Sequence, residues 1–304
     1  MTASKTPLQE DYQRLYDAGV AKVRAGDFRG ALDDFSGALG LAREAGDASL
    51  QYEAQANLSM VYIQLGEERR AEKGLREILL NSREHKVRFG AAYNLAVSQR
   101  KQGRYARAHF YASMAMESAV KVRDASARAG CHNLLGNILM SQSFLDKALV
   151  EYRKALRIRR RQKSDVRFSI AILLENIGYT YLLRKRFRLG ASMIARALEL
   201  ATAVGARRCI AECCQDLSYA RMQMHEYEKA TAMGEKALAL SLESGYRDVE
   251  KNCYYLLGES AHLAGRMDER DQYFERLQSL HPELPFLREF LCTFDLSDIL
   301  TLKH

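Results

Sequence analysis

Residues 176–200 read Asn-Ile-Gly-Tyr-Thr-Tyr-Leu-Leu-Arg-Lys-Arg-Phe-Arg-Leu-Gly-Ala-Ser-Met-Ile-Ala-Arg-Ala-Leu-Glu-Leu. A large apolar residue precedes a glycine at Ile177-Gly178. A second glycine, Gly190, follows twelve positions later, with Ile194 and Ala197 four and seven residues beyond it. Spacings of three, four and seven mark one face of a helix.

The block occurs seven times, at steps of 37 to 42 residues. Its apolar-small pairs are Ala18-Gly19, Leu58-Ser59, Leu95-Ala96, Leu135-Gly136, Ile177-Gly178, Leu217-Ser218 and Leu257-Gly258. Twelve residues after the small member stand Ala31, Ala71, Ala108, Ala148, Gly190, Ala230 and Arg270, so only the last copy decays. Breaks at Gly26-Asp27, Gly66-Glu67, Gly103-Arg104 and Gly265-Arg266 divide blocks into two helices each. Small residues at the crossing let the two helices approach closely, and a bulky side chain there overpacks the contact.

These residues follow the Leu-Gly, Tyr, Ala, Phe, Ala spacing of the tetratricopeptide repeat, and the chain resembles that family from residue 12 to about 284. The resemblance implies an all-α, right-handed superhelix, a solenoid of seven helical hairpins plus a C-terminal capping helix. Residues 1–11 form a lead-in, repeats start near 12, 52, 89, 129, 171, 211 and 251, and 285–304 form an apolar cap or tail. One array is expected, not two domains, because each repeat buries its face against the next.

The usual repeat has 34 residues and ends near a proline; here only the seventh copy keeps one, Pro282. Elsewhere the second helix runs on, since nothing removes a backbone N–H, and Gly46, Gly205 and Gly245 are placed to end it in the left-handed conformation. Similar lengthening marks kinesin light chains, spindle-orientation adaptors and bacterial peptide-sensing regulators. Thr6, Pro7 and Gln9 have the pattern of a capping box with proline at the first helical position.

In those long-repeat relatives an asparagine just before the Leu-Gly pair bonds the backbone of an extended peptide. Here that position holds Asp17, Asn57, Asn94, Leu134, Asn176, Asp216 and Leu256. A side-chain amide offers both a donor and an acceptor, which suits the peptide groups of an extended ligand. Asn133 and Asn137 extend the ladder, and Tyr179, Tyr219 and Glu259 add side-chain selectivity. The alternative is that these amides bond neighbouring helices. Chaperone-binding relatives clamp a carboxylate with Lys, Asn and Arg; the matching positions here are Tyr16, Val20, Gly90 and Asn94, which argues against that role.

The net charge is +8, and residues 151–190 alone sum to +9. Arg157, Arg159, Arg160 and Arg161 end one helix; Arg184, Lys185, Arg186 and Arg188 lie at the far end of the next. About twenty helical residues would separate the groups by roughly 30 Å. Either they face an acidic partner or they are solvated helix ends that complement the macrodipole. No aromatic platform interleaves them, which argues against single-stranded nucleic acid.

At 47% apolar and 28% charged residues, the chain has the material of an ordered fold. No signal peptide and no apolar run of about 18 residues occurs, so the expected compartment is the cytosol, without membrane partners. Cys131, Cys213 and Cys253 share one repeat position, a slot for a small apolar residue. Cys209 and Cys213 are one turn apart and would suit a zinc ion only with further ligands. No catalytic motif, metal site or cofactor site is read, and the seven histidines are scattered.

The function expected is a scaffold or adaptor that binds an extended or helical partner segment in the concave groove. The alternative is a peptide-responsive regulator of a separate effector. The apolar tail, Leu284 to Leu302, either caps repeat seven, docks into the groove or pairs two copies as a homodimer.

Overall fold

A computed structural model describes residues 6–293. Its helices run in hairpins: α1 (Pro7–Ala25) with α2 (Phe28–Glu44), α3 (Ala48–Gln64) with α4 (Glu68–Asn81), and α5 (His85–Lys101) with α6 (Tyr105–Lys121). After α7 (Ala125–Ser141) and α8 (Leu145–Arg160) come α9 (Arg167–Leu183) with α10 (Phe187–Ala203), α11 (Arg207–Gln223) with α12 (Tyr227–Ser244), and α13 (Arg247–Leu263) with α14 (Met267–Ser279). A short α15 (Leu287–Thr293) follows Pro285. No strand occurs among the described residues.

By its internal contacts the chain groups into two compact units, 1–144 and 145–304, with the boundary inside the fourth repeat. Contacts in a repeat protein are almost all between sequence neighbours. A division can therefore fall at a loop that carries no linker composition.

Local signals behave as elementary chemistry requires. Thr6 and Gln9 form the reciprocal capping box at the start of α1. Asp27, Asp47 and Asp124 each accept a backbone N–H at the start of a helix. Gly46, Gly205 and Gly245 all take positive φ, between 66° and 71°, after the second helix of their hairpins.

The turn inside each hairpin is stricter still. All seven copies use a left-handed residue at one repeat position: Gly26, Gly66, Gly103, Ser143, Lys185, His225 and Gly265. The turn geometry is kept where glycine is not, and the non-glycine residues bear the steric cost of that conformation. Arg123 does the same between α6 and α7, at φ 55°. Ser143→Gly and Arg123→Gly are therefore expected to raise the urea midpoint of the first unit, each by about 1 kcal/mol of stability, while Ser143→Ala leaves it unimproved.

The small residues meet the second helix of their own hairpin. A Cβ on Gly178 would lie 2.9 Å from the Gly190 carbonyl oxygen, and one on Gly19 would lie 2.9 Å from the Phe35 ring. Behind these crossings sits a core of alanine, leucine, isoleucine and aromatic side chains, with Phe35, Tyr152, Ile194 and Phe274 almost wholly buried. Leu291 of α15 is buried in the cluster that holds Phe274 and Leu277, so this helix caps the seventh hairpin.

Within each unit the first helices lie side by side: α3 on α5 and α5 on α7, then α9 on α11 and α11 on α13. Among the described residues the second helices show no comparable packing with one another. The first helices are thus the tight layer of each unit.

Candidate partner-binding face

At 100° per residue, positions six and two before, and one and five after, the crossing residue fall between 100° and 160° away from it. They form a stripe facing away from the second helix. On α3 the stripe is Glu53, Asn57, Met60 and Gln64; on α5 it is Gly90, Asn94, Val97 and Lys101. Asn137 belongs to it on α7, whereas Asn133 lies one residue off.

The two central asparagines of the first unit are held in place from below. The Asn57 amide donates to the Tyr16 hydroxyl at 2.9 Å and to the Glu53 carbonyl at 3.1 Å. The Asn94 amide donates to the Ala56 carbonyl across to α3, at 3.1 Å. Burial, then the nearby Glu53 carboxylate, pushes the Tyr16 phenol up to about 12, so it stays neutral. Both asparagines therefore bond neighbouring helices, which was the alternative to peptide contact. Their side chains are half-buried, and neither Oδ1 accepts a hydrogen bond among the described residues. Each amide is a fixed post with its acceptor outward. Asn133 and Asn137 are also half-buried.

The second unit differs. Asn176 and Tyr179 on α9 and Asp216 on α11 occupy the expected face, but at 7%, 2% and 0% exposure their side chains are closed to an incoming partner. Tyr219 is half-buried, its ring edge-on to Phe187 at 6.4 Å. Glu175, Gln215 and Glu259, all buried, make this face acidic and amide-rich. Gln215 in turn accepts from the Asn252 amide of α13 at 3.1 Å. Glu259, expected from the sequence to add selectivity, lies three residues after Leu256 on the same stripe, and helical spacing could not have shown its burial.

Burial, reinforced by Glu212 one turn earlier, holds the Asp216 proton on well above the usual carboxyl range, against the opposing Gln215 amide. Glu212 itself is pushed up by burial against the pull of Arg208, which also pairs with Asp248. A carboxyl whose folded pKa lies above its unfolded one favours the fold below about pH 4 and loses that stability as pH rises through the folded value. Asp216→Asn mimics the protonated form. It is expected to match wild type near pH 4 and to give the second unit a higher unfolding midpoint at pH 7, read by denaturation across that range.

The basic residues separate as the helix lengths demand. Arg184, at the C-terminus of α9, pairs with Asp146 at the start of α8 at 2.8 Å, so the two helices run antiparallel. Arg157, Arg159, Arg160 and Arg161 at the far end of α8 then stand about 25 Å away, one length of the 17-residue α9. Arg157, Arg160, Arg161, Lys185, Arg186 and Arg188 are exposed, and Arg159 and Arg184 are partly covered. Two cationic ends result, not one patch.

Five of the six cysteines are buried thiols. Burial pushes Cys131 and Cys253 up to about 12, away from the thiolate form that reacts or binds metal. Among the described residues no three metal-ligating side chains cluster, and no helix is long and apolar enough to cross a membrane. A second, shallower surface lies on the second helices of the first unit, where Arg76, Ala106, Arg107 and Tyr111 surround an exposed Phe110.

No protein-family model and no curated protein matches the chain. Solved structures do match it. One is a signal transduction ATPase with numerous domains and a tetratricopeptide repeat sensor, from Pyrococcus horikoshii: 19% identity over 97% of this chain and 48% of that one, TM-score 0.67. This chain therefore spans about half the length of that ATPase. The apo form of RapI matches at 14% identity over 90% and 98% of the two chains, TM-score 0.64. A tetratricopeptide repeat protein from Parabacteroides merdae matches at 16% over 92% and 99%, TM-score 0.53. At such identities the likeness speaks for the fold, and it agrees with the helical hairpins repeated within each unit: the chain has the tetratricopeptide-repeat fold.

Proposed function

We propose that this chain is a protein-interaction scaffold whose first-helix face in residues 1–144 takes an extended segment of a partner protein. The observation that carries the reading is the pair Asn57 and Asn94, one on each of two adjacent helices. Each is anchored through its amide, with its acceptor oxygen left for a backbone N–H. Adjacent first helices pack 8–10 Å apart. A strand rises about 3.3 Å per residue, so the gap between the two acceptors corresponds to some two to three residues of an extended ligand, nearly independent of its sequence. The repeat region of the Pyrococcus protein is a sensor, which is consistent with a binding role.

The test is a titration of peptides selected against the full chain from a library of extended segments. With Asn57→Ala and Asn94→Ala combined, affinity is expected to fall roughly 10-fold or more, at about 1 kcal/mol for each lost bond. Unchanged affinity in a variant that keeps its helical signal and melting temperature contradicts the reading.

A further inference from the structure

We propose that the C-terminal end of α8 and the turn after it, carrying Arg157, Arg160, Arg161 and Lys163, form a docking point for an acidic segment of a partner protein. The inference concerns the second unit and is independent of the reading of Asn57 and Asn94.

The first support is a surplus of charge that the fold does not use. Between Glu151 and Asp165 the chain holds Arg153, Lys154, Arg157, Arg159, Arg160, Arg161 and Lys163, and no acidic residue. The two flanking carboxylates are engaged, Glu151 with Lys154 at 2.7 Å and Asp165 with Arg167 at 2.7 Å. Arg153 donates to the Tyr181 hydroxyl at 2.8 Å, and Arg159 to the Gln162 side chain at 3.1 Å. The side chains of Arg157, Arg160, Arg161 and Lys163 are exposed and enter no ion pair or hydrogen bond among the described residues. Elsewhere in the same unit Arg184, Arg207, Arg208, Arg221 and Arg266 each face a carboxylate.

The second support is what that surplus costs. Arg157, Arg160 and Arg161 are three and four residues apart, so they share one helix face and repel one another. A helix C-terminus carries the equivalent of about half a negative charge, which a single base offsets. The other cations stay unneutralised. A run of carboxylates would relieve the repulsion, and each would meet a guanidinium fork that matches its two oxygens.

Reach decides the class of partner. From Arg157 to Arg161 the helix rises only about 6 Å, close to the spacing of alternate residues in an extended segment at about 3.3 Å each. Acidic residues at every second position of such a segment fit that interval. The other basic end, around Arg186 and Arg188, stands about 25 Å away. Asp146 and Glu151 lie on α8 between the two ends, so no unbroken cationic track runs there for a nucleic-acid backbone to follow.

The probe is a fluorescein-labelled peptide of alternating glutamate and serine, titrated by anisotropy into the full chain near physiological salt. Beside it run the same peptide with glutamine for glutamate and a single-stranded oligothymidylate of equal charge. Two variants each remove three positive charges: Arg157→Gln, Arg160→Gln and Arg161→Gln combined, and, at the far end, Lys185→Gln, Arg186→Gln and Arg188→Gln combined. Screening acts over about 8 Å at this ionic strength, so charge lost at the far end is not felt. The glutamate peptide is expected to bind more tightly than the glutamine one, and the first variant to weaken it roughly 10-fold or more. The second variant is expected to leave its affinity unchanged. All six substituted residues are exposed, and the first variant relieves like-charge repulsion, so the helical signal and melting temperature are expected to stay at or above wild type. Equal loss in both variants assigns the binding to net charge and overturns the proposal, as does the absence of any preference for glutamate. Oligothymidylate bound more tightly than the peptide through the same three arginines overturns it in favour of nucleic acid. Should the first variant not fold, the single changes Arg160→Gln and Arg186→Gln carry the comparison, with loss expected from the first alone.

Discussion

Gly178→Val is expected to destabilise the second unit by about 3 kcal/mol. A Cβ at Gly178 would sit 2.5 Å from Ile194 Cγ1, 2.9 Å from the Gly190 carbonyl oxygen and 3.2 Å from the Ile194 nitrogen. Two of the three obstacles are backbone atoms and cannot swing away. The approach is reciprocal, since a Cβ at Gly190 would meet the Gly178 carbonyl at 2.8 Å. Helices α9 and α10 therefore cross backbone on backbone, and any side chain at either glycine forces them apart along their length. At Gly19 the obstacle is the Phe35 ring, which can rotate, so Gly19→Ala is expected to cost less than Gly178→Val. Gly40, within α2 with nothing inside 4 Å, is the internal control: Gly40→Ala should gain up to about 1 kcal/mol from helix propensity. Urea unfolding followed by circular dichroism ranks all three. A Gly178→Val midpoint equal to wild type would remove the close crossing from the account.

Phe35→Ala is expected to cost the first unit about 3–5 kcal/mol. Phe35 is wholly buried, edge-on to Tyr16 at 5.8 Å, and it fills the space that Gly19 leaves open. It shares a buried cluster with Tyr12, Ala31, Ala38, Leu39, Ala42 and Leu58. Tyr16 is also the acceptor for Asn57, so the loss should propagate to the candidate face. Because repeat arrays couple mainly through nearest neighbours, amide exchange should accelerate in α1 to α3 and stay at wild-type rates in α9 to α14. Uniform acceleration across the chain would contradict that locality.

Much of this fold is legible in the amino-acid sequence, because a hairpin repeat writes its packing into short spacings. Gly178, Gly190 and Ile194 meet as their spacing requires, and Thr6, Gly46, Gly205 and Gly245 terminate helices as their chemistry requires. Ser143, Lys185 and His225 were not legible as left-handed turn residues. The demand there comes from backbone geometry that the other repeats satisfy with glycine, and these three side chains carry no such preference themselves.

The placement of these side chains on their helices was legible, and their environment was not. Asn57, Asn94, Asn176 and Asp216 do fall on one face of the first helices, as their place before the small residue dictates. Spacing fixes direction and says nothing of cover. Asn57 and Asn94 remain half-open while Asn176 and Asp216 are closed. That difference is a matter of tertiary packing, which spacing along one helix does not encode. The basic run of residues 153–188 shows the same limit. It reads as one cluster along the chain, and the antiparallel pairing of α8 and α9, seen in the Arg184–Asp146 ion pair, parts it into two.

In the function proposed, the first-helix stripe of residues 1–144, and not the exposed second-helix surface around Phe110, receives the partner segment. Photo-crosslinking separates the two: a benzophenone side chain is placed at Met60 on α3 or at Phe110 on α6, and each variant is irradiated with a selected peptide at saturation. The account predicts a covalent adduct from position 60 that is suppressed by unlabelled peptide, and none from position 110. An adduct from position 110 alone would contradict it.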